Sequence, residues 1–388
     1  MSDMRPSWAY TLPAALLLMA PFDILASLAM DIYLPVVPSM PDILDTTPAV
    51  IQLTLSLYMI MLGLGQVLFG PLSDRIGRRP VLLSGAVLFA VASLGAALSW
   101  SASAFVLCRL LQATGASAAL VATFATVRDV YGNRPEQAII YATFGSILSF
   151  VPALGPIAGA VVADQFGWRA IFMLVAIMAC VGILAAMVEW HETMPTVTTG
   201  PRRSVRLIFT SRPFWTYTLA FSASMGTFFV FFSTAPRVLI GHAGYSELGF
   251  SVAFATVAVV MIVVTRFAGS FVGKWGVAGC TARGMLLLLV GAAALAFGQL
   301  YGSPSFASFV LPMWIMAVGI VFAGAVTANG ALAEFDDIAG SAVAFYFCIQ
   351  SLIVSVAGTL AVTVLNGDSA WPLVAFSTLM ALLVLMAL

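Results

Sequence analysis

Long apolar stretches fill most of the chain, and short polar segments separate them. A helix needs about 20 apolar residues to cross the hydrocarbon core of a bilayer. Helices are the predicted elements because every backbone polar group must find its partner within a lipid-facing segment. The pattern predicts twelve spans, at about 12–37, 49–71, 80–99, 103–127, 137–163, 168–189, 213–235, 247–272, 282–301, 306–330, 339–365 and 370–388.

The longest polar segment, about 190–212, leaves six spans on each side. An even division is typical of a duplicated six-helix unit with the substrate site between the two copies. We therefore predict an all-α membrane protein with a first bundle at 1–189, a linker at 190–212 and a second bundle at 213–388. The first apolar stretch outruns the core of a signal peptide and lacks a small-residue cleavage site, so we expect it to remain as a span.

Basic residues indicate the orientation of the spans, because Lys and Arg concentrate in cytoplasmic loops. With a cytoplasmic N-terminus, twelve of the 16 basic residues fall in inner loops. Two, Arg169 and Arg237, fall in outer loops, while Arg109 and Arg266 fall within spans. The bias of twelve to two predicts that the N-terminus is cytoplasmic.

Composition narrows the function classes. The chain is 62% hydrophobic and 8% charged, with a mean hydropathy of +1.07, whereas a soluble domain carries about 25% charge. The net charge of zero gives no attraction to nucleic acid. The four cysteines lack metal-ligand spacing, and no phosphate-binding Gly-x-x-x-x-Gly-Lys-Ser/Thr loop is present. We therefore expect no enzyme, no metal and no cofactor, and we expect the proton motive force to supply the energy.

Charged residues interrupt two of the spans. Asp23 and Asp31 lie in the first span and Arg109 lies in the fourth. Charges in such segments usually face a protein interior or a wet cavity, because they are costly in hydrocarbon. On a helix the two aspartates are about 12 Å apart along the axis and roughly 80° apart around it, with Ser27 midway. These residues predict a path for protons and substrate, although Asp31 also fits a solvated acid at a helix end beside Tyr33.

A motif rich in glycine and charged residues lies between spans two and three. Its glycines permit a tight turn and its acid can pair with a nearby arginine, while its arginines anchor a cytoplasmic loop. The stretch reads Gly70-Pro71-Leu72-Ser73-Asp74-Arg75-Ile76-Gly77-Arg78-Arg79.

These residues resemble the signature loop of the major facilitator superfamily, Gly-x-Leu-x-Asp-Arg-x-Gly-Arg-Arg, at every position. The resemblance implies twelve helices in two bundles and transport by alternating access. It implies that Asp74 helps to lock the outward-facing state, within a gating motif that also contains Gly70, Arg75, Gly77 and Arg78.

Two further motifs are similar to those of proton-coupled members. Arg109 to Gly115 resembles the fourth-helix pattern Arg-x-x-Gln-x-x-Gly, in which the arginine acts on a nearby acid. A cation favours the ionised carboxylate while burial favours the neutral form, although an arginine that only joins helices through carbonyls is the alternative. Gly155, Pro156 and Gly159 resemble the antiporter motif Gly-Pro-x-x-Gly and suggest a hinge, against the alternative of an ordinary proline kink.

The stretch 21–35 narrows the resemblance to bacterial drug:proton antiporters, most of all the chloramphenicol and florfenicol exporters. It implies roles for Asp23, Asp31 and Arg109 in proton coupling. The expected function is efflux of amphenicol antibiotics across the bacterial inner membrane by a monomer whose partners are the drug, protons and the lipid bilayer. A broader multidrug or metabolite carrier of the same fold is one alternative, and a membrane receptor or scaffold without transport is another.

The second half offers fewer signals. Phe228 and Phe232 lie in span seven and are candidates for an aromatic cavity wall. Glu334, Asp336 and Asp337 form an acidic loop between spans ten and eleven. The loop could face the basic loops of the first half, or it could simply be solvated.

Overall fold

The computed structural model describes residues 8, 10–131, 136–194, 206–335 and 339–388. These residues form twelve helices of 17 to 34 residues and contain no strand, which confirms the all-α prediction. Ten described segments are long and apolar enough to cross a membrane, and α12 and the apolar part of α5 are shorter. The helices are α1 Leu12–Asp31, α2 Pro48–Ile76, α3 Arg78–Ala97, α4 Ala102–Tyr131, α5 Glu136–Phe166, α6 Trp168–Glu189, α7 Arg212–Pro236, α8 Glu247–Thr265, α9 Ala268–Tyr301, α10 Leu311–Leu332, α11 Ala339–Val364 and α12 Trp371–Ala387.

Three helices, the first, the eighth and the ninth, differ most from the predicted spans. The first span was expected to reach residue 37, but α1 ends at Asp31 and a separate 3₁₀ turn covers Leu34–Val36. Pro35 explains the break, because it has no N–H to bond the carbonyl four residues earlier. The eighth span was expected to reach 272 and the ninth to begin at 282. Instead, α8 ends at Thr265 and α9 begins at Ala268, with a kink at Gly276, where φ is 65°.

The packing of the first six helices is repeated by the last six. In the first half α3 packs on α4 and α6, and α1 packs on α4, α5 and α6. In the second half α9 packs on α10 and α12, and α7 packs on α10, α11 and α12. Each of these pairs has its counterpart six helices later, so the chain consists of two bundles with one architecture.

Close helix crossings at paired glycines show the same repeat. A Cβ on Gly85 of α3 would lie 2.8 Å from the Gly115 carbonyl of α4. A Cβ on Gly284 of α9 would lie 2.7 Å from the Gly319 carbonyl of α10. Small residues allow helix backbones to approach this closely, and dispersion forces then hold the helices together within the membrane.

The two halves meet through α2 against α11 and through α5 against α8. Among the described residues, hydrogen bonds between the halves lie at one end of the bundle, opposite the loop 70–79. We call these contacts the seal. They join Gln52 Nε2 to Ser233 Oγ at 3.0 Å, the Ser56 hydroxyl to the Thr359 hydroxyl, and Ser251 Oγ to the Pro156 carbonyl at 3.0 Å.

We predict that Gly115→Ala destabilises the protein, because the added Cβ would lie 2.5 Å from the Gly85 carbonyl and from the Phe89 nitrogen. Overpacking of this kind costs about 1–3 kcal/mol. The measurement is the thermal unfolding midpoint of the purified protein in detergent. Gly324→Ala is the matched control, since nothing lies within 4 Å of its added Cβ. Equal midpoints for the two variants would contradict the prediction.

Candidate functional site

The acids of α1 are enclosed by the first bundle. Asp23 is 1% exposed and Asp31 is 4% exposed. Both carboxylate oxygens of Asp23 are buried without a hydrogen-bond partner in the described part of the chain. Asp31 accepts a hydrogen bond from Ser27 Oγ at 3.3 Å. Asp31 is thus not an exposed acid at the helix end, even though it is the last residue of α1.

Arg109 is fully buried at the meeting point of three helices of the first bundle. One of its nitrogens, Nη1, donates to the Ala29 carbonyl of α1 at 3.0 Å and to Gln112 Oε1 at 2.5 Å. The Gln112 amide in turn donates to Ser93 Oγ of α3 at 2.7 Å. In this conformation the guanidinium therefore joins α1, α3 and α4 through neutral oxygens, and no described carboxylate forms an ion pair with it.

Three aromatic rings surround the same guanidinium. Its Cζ atom lies 5.2 Å from the ring centroid of Tyr33, 4.6 Å from that of Tyr58 and 5.7 Å from that of Phe172. Cation–π attraction at such distances is worth about 2 kcal/mol when the cation is desolvated. Reading the sequence did not identify Tyr58 or Phe172. The available signal for Tyr58 was its place after Gln52, Thr54 and Ser56, a short run of polar side chains within the second span.

The predicted hinge residues of α5 pack against the end of α1. A Cβ on Gly155 would lie 3.0 Å from Asp31 Cβ, and a Cβ on Gly159 would collide with the Ile32 carbonyl. Pro156 offers its carbonyl to Ser251 of the other half. The motif thus places Asp31 beside α5, directly next to one contact of the seal.

The signature loop forms an ion-pair network. Gly77 separates α2 from α3 with φ of 105°, a conformation that side chains rarely adopt. The buried Arg78 pairs with Asp74 at 2.6 Å and with Asp129 at the end of α4 at 2.8 Å. Arg75 is exposed, and nothing lies within 4 Å of a Cβ built on Gly70. Asp129 therefore belongs to the network, although the motif in the sequence does not contain it.

Glu192 is a second residue of this region that the sequence did not indicate. Its carboxylate accepts hydrogen bonds from the backbone nitrogens of Arg78 at 2.8 Å and Arg79 at 3.1 Å, at the start of α3. Its Oε2 atom also lies too close to Gly77 for a Cβ to fit there. A carboxylate at a helix N-terminus satisfies unpaired N–H groups and interacts favourably with the helix dipole. Glu192 thereby ties the start of the linker to the signature loop.

The two candidate phenylalanines of α7 differ in exposure. Phe228 is partly exposed, whereas Phe232 is 3% exposed. Both rings lie against Phe254 of α8, with centroids 6.0 Å and 6.2 Å from its own. Met225 and Phe221, one and two turns before Phe228, are also partly exposed. A ligand can therefore reach Phe228 and its neighbours on that face, but not Phe232, without a rearrangement.

Of the predicted acidic loop, the structure describes Glu334. Glu334 Oε2 accepts from Ser211 Oγ at 2.9 Å, which joins it to the start of α7. Asp336 and Asp337 lie outside the described residues.

Comparisons with known proteins agree with this architecture. Residues 22–387 match the family model described as Major Facilitator Superfamily. A chloramphenicol resistance protein from Pseudomonas aeruginosa is 47% identical over 386 residues, covering 99% of this chain and 92% of that protein. The multidrug resistance protein MdtL of Escherichia coli O17:K52:H18 is 26% identical, covering 81% and 79% of the two chains. A crystal structure of a D-xylose–proton symporter has a TM-score of 0.78 at 17% identity, covering 96% and 97%.

We predict that Glu192→Ala lowers stability by about 1 kcal/mol, because α3 loses the acceptor at its N-terminus. Thermal unfolding in detergent measures the change. Glu189→Ala is the matched control, since that neighbouring acid is exposed and accepts a hydrogen bond from Tyr10 rather than from a helix N-terminus. A loss in Glu192→Ala no larger than in the control would contradict the capping role.

Proposed function

Since this chain belongs to the Major Facilitator Superfamily and is a multi-pass transporter rather than an enzyme, we propose that it exports amphenicol antibiotics such as chloramphenicol and florfenicol in exchange for protons. The proposed location is the inner membrane of a bacterium, with the N-terminus in the cytoplasm. The basic residues of the loops support that orientation.

One observation carries the proposal of proton coupling. Asp23 holds two buried carboxylate oxygens with no hydrogen-bond partner in the described part of the chain, within a helix long enough to span a membrane. An unpaired buried charge is very costly, so such a group favours the neutral form until its surroundings change. Asp31 is nearly as buried, and among the described residues its hydrogen-bond partner is Ser27. A conformational change that wets these acids would let them release protons.

The substrate proposal rests on the chloramphenicol resistance protein that is 47% identical over nearly the whole chain. An amphenicol is a neutral aromatic molecule, and it needs an apolar wall with few charges. Phe221, Met225 and Phe228 supply partly exposed apolar surface on α7. A neutral substrate also leaves Asp23 and Asp31 free to carry protons instead of pairing with the drug.

The proposed cycle couples the acids to alternating access. With a cytoplasmic N-terminus, the seal lies on the periplasmic side, and the proposed cycle begins with entry of the drug from the cytoplasm. The carrier then opens outward, the drug leaves, and a proton enters from the periplasm onto an α1 aspartate. The neutral acid allows the return, and the positive field of Arg109 favours release of the proton inside.

The energy balance follows from the charge that moves. Exchange of one proton for a neutral drug carries one positive charge inward, so voltage and pH gradient both drive export. A charge that crosses 100 mV releases about 2.3 kcal/mol. Because 1.4 kcal/mol corresponds to a tenfold ratio, one proton sustains about a 50-fold drug gradient at that voltage alone.

A broader multidrug carrier is the second candidate, and the similarity to MdtL favours it. Growth of a pump-deficient bacterium expressing the protein, on a panel of antibiotics and cationic dyes, separates the two candidates. Selective resistance to amphenicols supports our proposal. Resistance to dyes without resistance to amphenicols would overturn it.

We predict that Asp23→Asn and Arg109→Ala each reduce amphenicol resistance to the level of cells that lack the protein, while the protein still inserts in the membrane. The amide cannot exchange a proton, and the alanine removes the cation beside α1. Drug susceptibility and membrane-fraction blots measure the two effects. Asp42→Asn is the control, since this acid is exposed and lies outside α1. Full resistance in either test variant would show that its residue is dispensable.

We also predict a contrast between the two phenylalanines of α7. Phe228→Ala should weaken amphenicol binding about fivefold, as expected from the loss of about 1 kcal/mol of aromatic contact. Phe232→Ala should instead cost about 3–5 kcal/mol of stability, because it leaves a cavity beside Phe254. Equilibrium drug binding and thermal unfolding of both purified variants test the contrast, and the reverse pattern would exclude Phe228 from the wall.

A further inference from the structure

We propose that Tyr58 on α2 is a positioning residue that links the seal between the two halves to the Arg109 centre. The inference deepens the transport function proposed above and rests on it for its meaning in the cycle. It concerns how opening of the seal changes the surroundings of Asp23 and Asp31.

Tyr58 and Arg109 hold the same turn of α1. The Tyr58 hydroxyl donates to the Ala26 carbonyl at 2.8 Å, and Arg109 Nη1 donates to the Ala29 carbonyl at 3.0 Å. The Tyr58 ring also lies 4.6 Å from the guanidinium carbon. This turn lies between Asp23 and Asp31 and contains Ser27, which donates to Asp31. A shift of the turn therefore changes where both acids lie relative to Arg109.

The same part of α2 also forms two contacts of the seal. Gln52 bonds Ser233 of α7, and Ser56 bonds Thr359 of α11. At 100° per residue, Gln52 and Ser56 share one face of α2, whereas Tyr58 lies about 200° from Ser56, on the opposite face. Within about two turns, one face of α2 thus contacts the other half of the protein and the opposite face contacts α1.

A helix transmits displacement because its backbone is rigid over a few turns. When the seal opens, α2 separates from α7 and α11, and in the proposal it also shifts against α1 within the first bundle, which moves the Tyr58 hydroxyl with respect to the Ala26 carbonyl. The bond from Tyr58 to Ala26 consequently belongs to the sealed conformation and stabilises it. Opening frees the turn that holds the acids, and this connects access at the seal with the environment of Asp23 and Asp31.

The proposal makes a specific prediction for Tyr58→Phe, which keeps the ring near Arg109 and loses only the hydroxyl. Its bond lies wholly within the first half, yet its loss should open the seal between the halves. The ratio of open to sealed molecules should rise about fivefold, the shift that one net hydrogen bond supports. Gln52→Ala, which breaks the seal directly, should shift the same ratio in the same direction.

Distances between two spin labels measure this ratio. The labels are placed at positions 42 and 242, which are exposed and lie in the first and second half at the sealed end. The four native cysteines are replaced beforehand. Tyr131→Phe is the matched control, because Tyr131 is a buried tyrosine on the helix of Arg109 and its hydroxyl accepts from Trp8 Nε1, far from the seal. We expect longer distances in Tyr58→Phe and an unchanged distribution in Tyr131→Phe. An unchanged distribution in Tyr58→Phe overturns the proposal.

Transport in proteoliposomes supplies the second measurement. In Tyr58→Phe, downhill chloramphenicol flux should stay within about twofold of wild type. Accumulation of the drug against its own concentration gradient, driven by an imposed proton gradient, should fall about tenfold. A tenfold change corresponds to about 1.4 kcal/mol. Equal losses in both assays would indicate a purely structural role and would overturn the proposal. Absence of any flux in the wild type would instead overturn the proposed function, and the label distances would still decide the role of Tyr58.

Discussion

Arg109 is a permanent cation within the first bundle, and the described structure around it serves to stabilise that charge without a carboxylate partner. A charge in the membrane interior costs several kcal/mol unless polar groups compensate it. The compensation comes from the Ala29 carbonyl, the Gln112 amide oxygen and three aromatic rings. Because these groups lie on different helices, stabilising the charge also fixes how α1, α3 and α4 sit together. Arg109 thus bonds the helix that contains both aspartates, without an ion pair to either of them in the described structure.

The two bundles share one packing scheme but differ in chemistry. At the break between α2 and α3, Gly77 is followed by Arg78, which pairs with Asp74 and Asp129. At the corresponding break in α9, Gly276 also has positive φ, but there Trp275 stacks on Phe271 and Arg283 lies 4.5 Å from the Trp275 ring. At these two breaks, the ion pairs of the first half thus correspond to aromatic contacts in the second half. The architecture follows from helix packing, whereas the ion-pair network belongs to the first of these two breaks; the described ion pair of the second half, Arg237 with Asp368 at 2.6 Å, lies at the other end of its helices.

The seal combines close packing with few polar bonds. The hydrogen bonds described between the halves involve hydroxyls, one amide and one carbonyl, all of them neutral. Each such bond contributes about 1 kcal/mol net, so the seal can open without breaking a buried ion pair, which would cost far more. An interface that must open in each cycle is suited to contacts of this strength.

The sequence alone determined the twelve-helix architecture, because the length of an apolar stretch and the need to satisfy backbone groups in lipid leave few choices. It also singled out Asp23, Asp31 and Arg109, since charges are rare in such stretches. Tertiary structure alone decided what these residues contact. Arg109 bonds the Ala29 carbonyl and the Gln112 amide oxygen, and Phe232 is buried while Phe228 is partly exposed. Tyr58 bonds α1, and Glu192 bonds the start of α3. Those contacts join residues far apart in the chain and depend on how helices rotate and cross, which hydrophobic periodicity does not encode when every face of a helix is apolar.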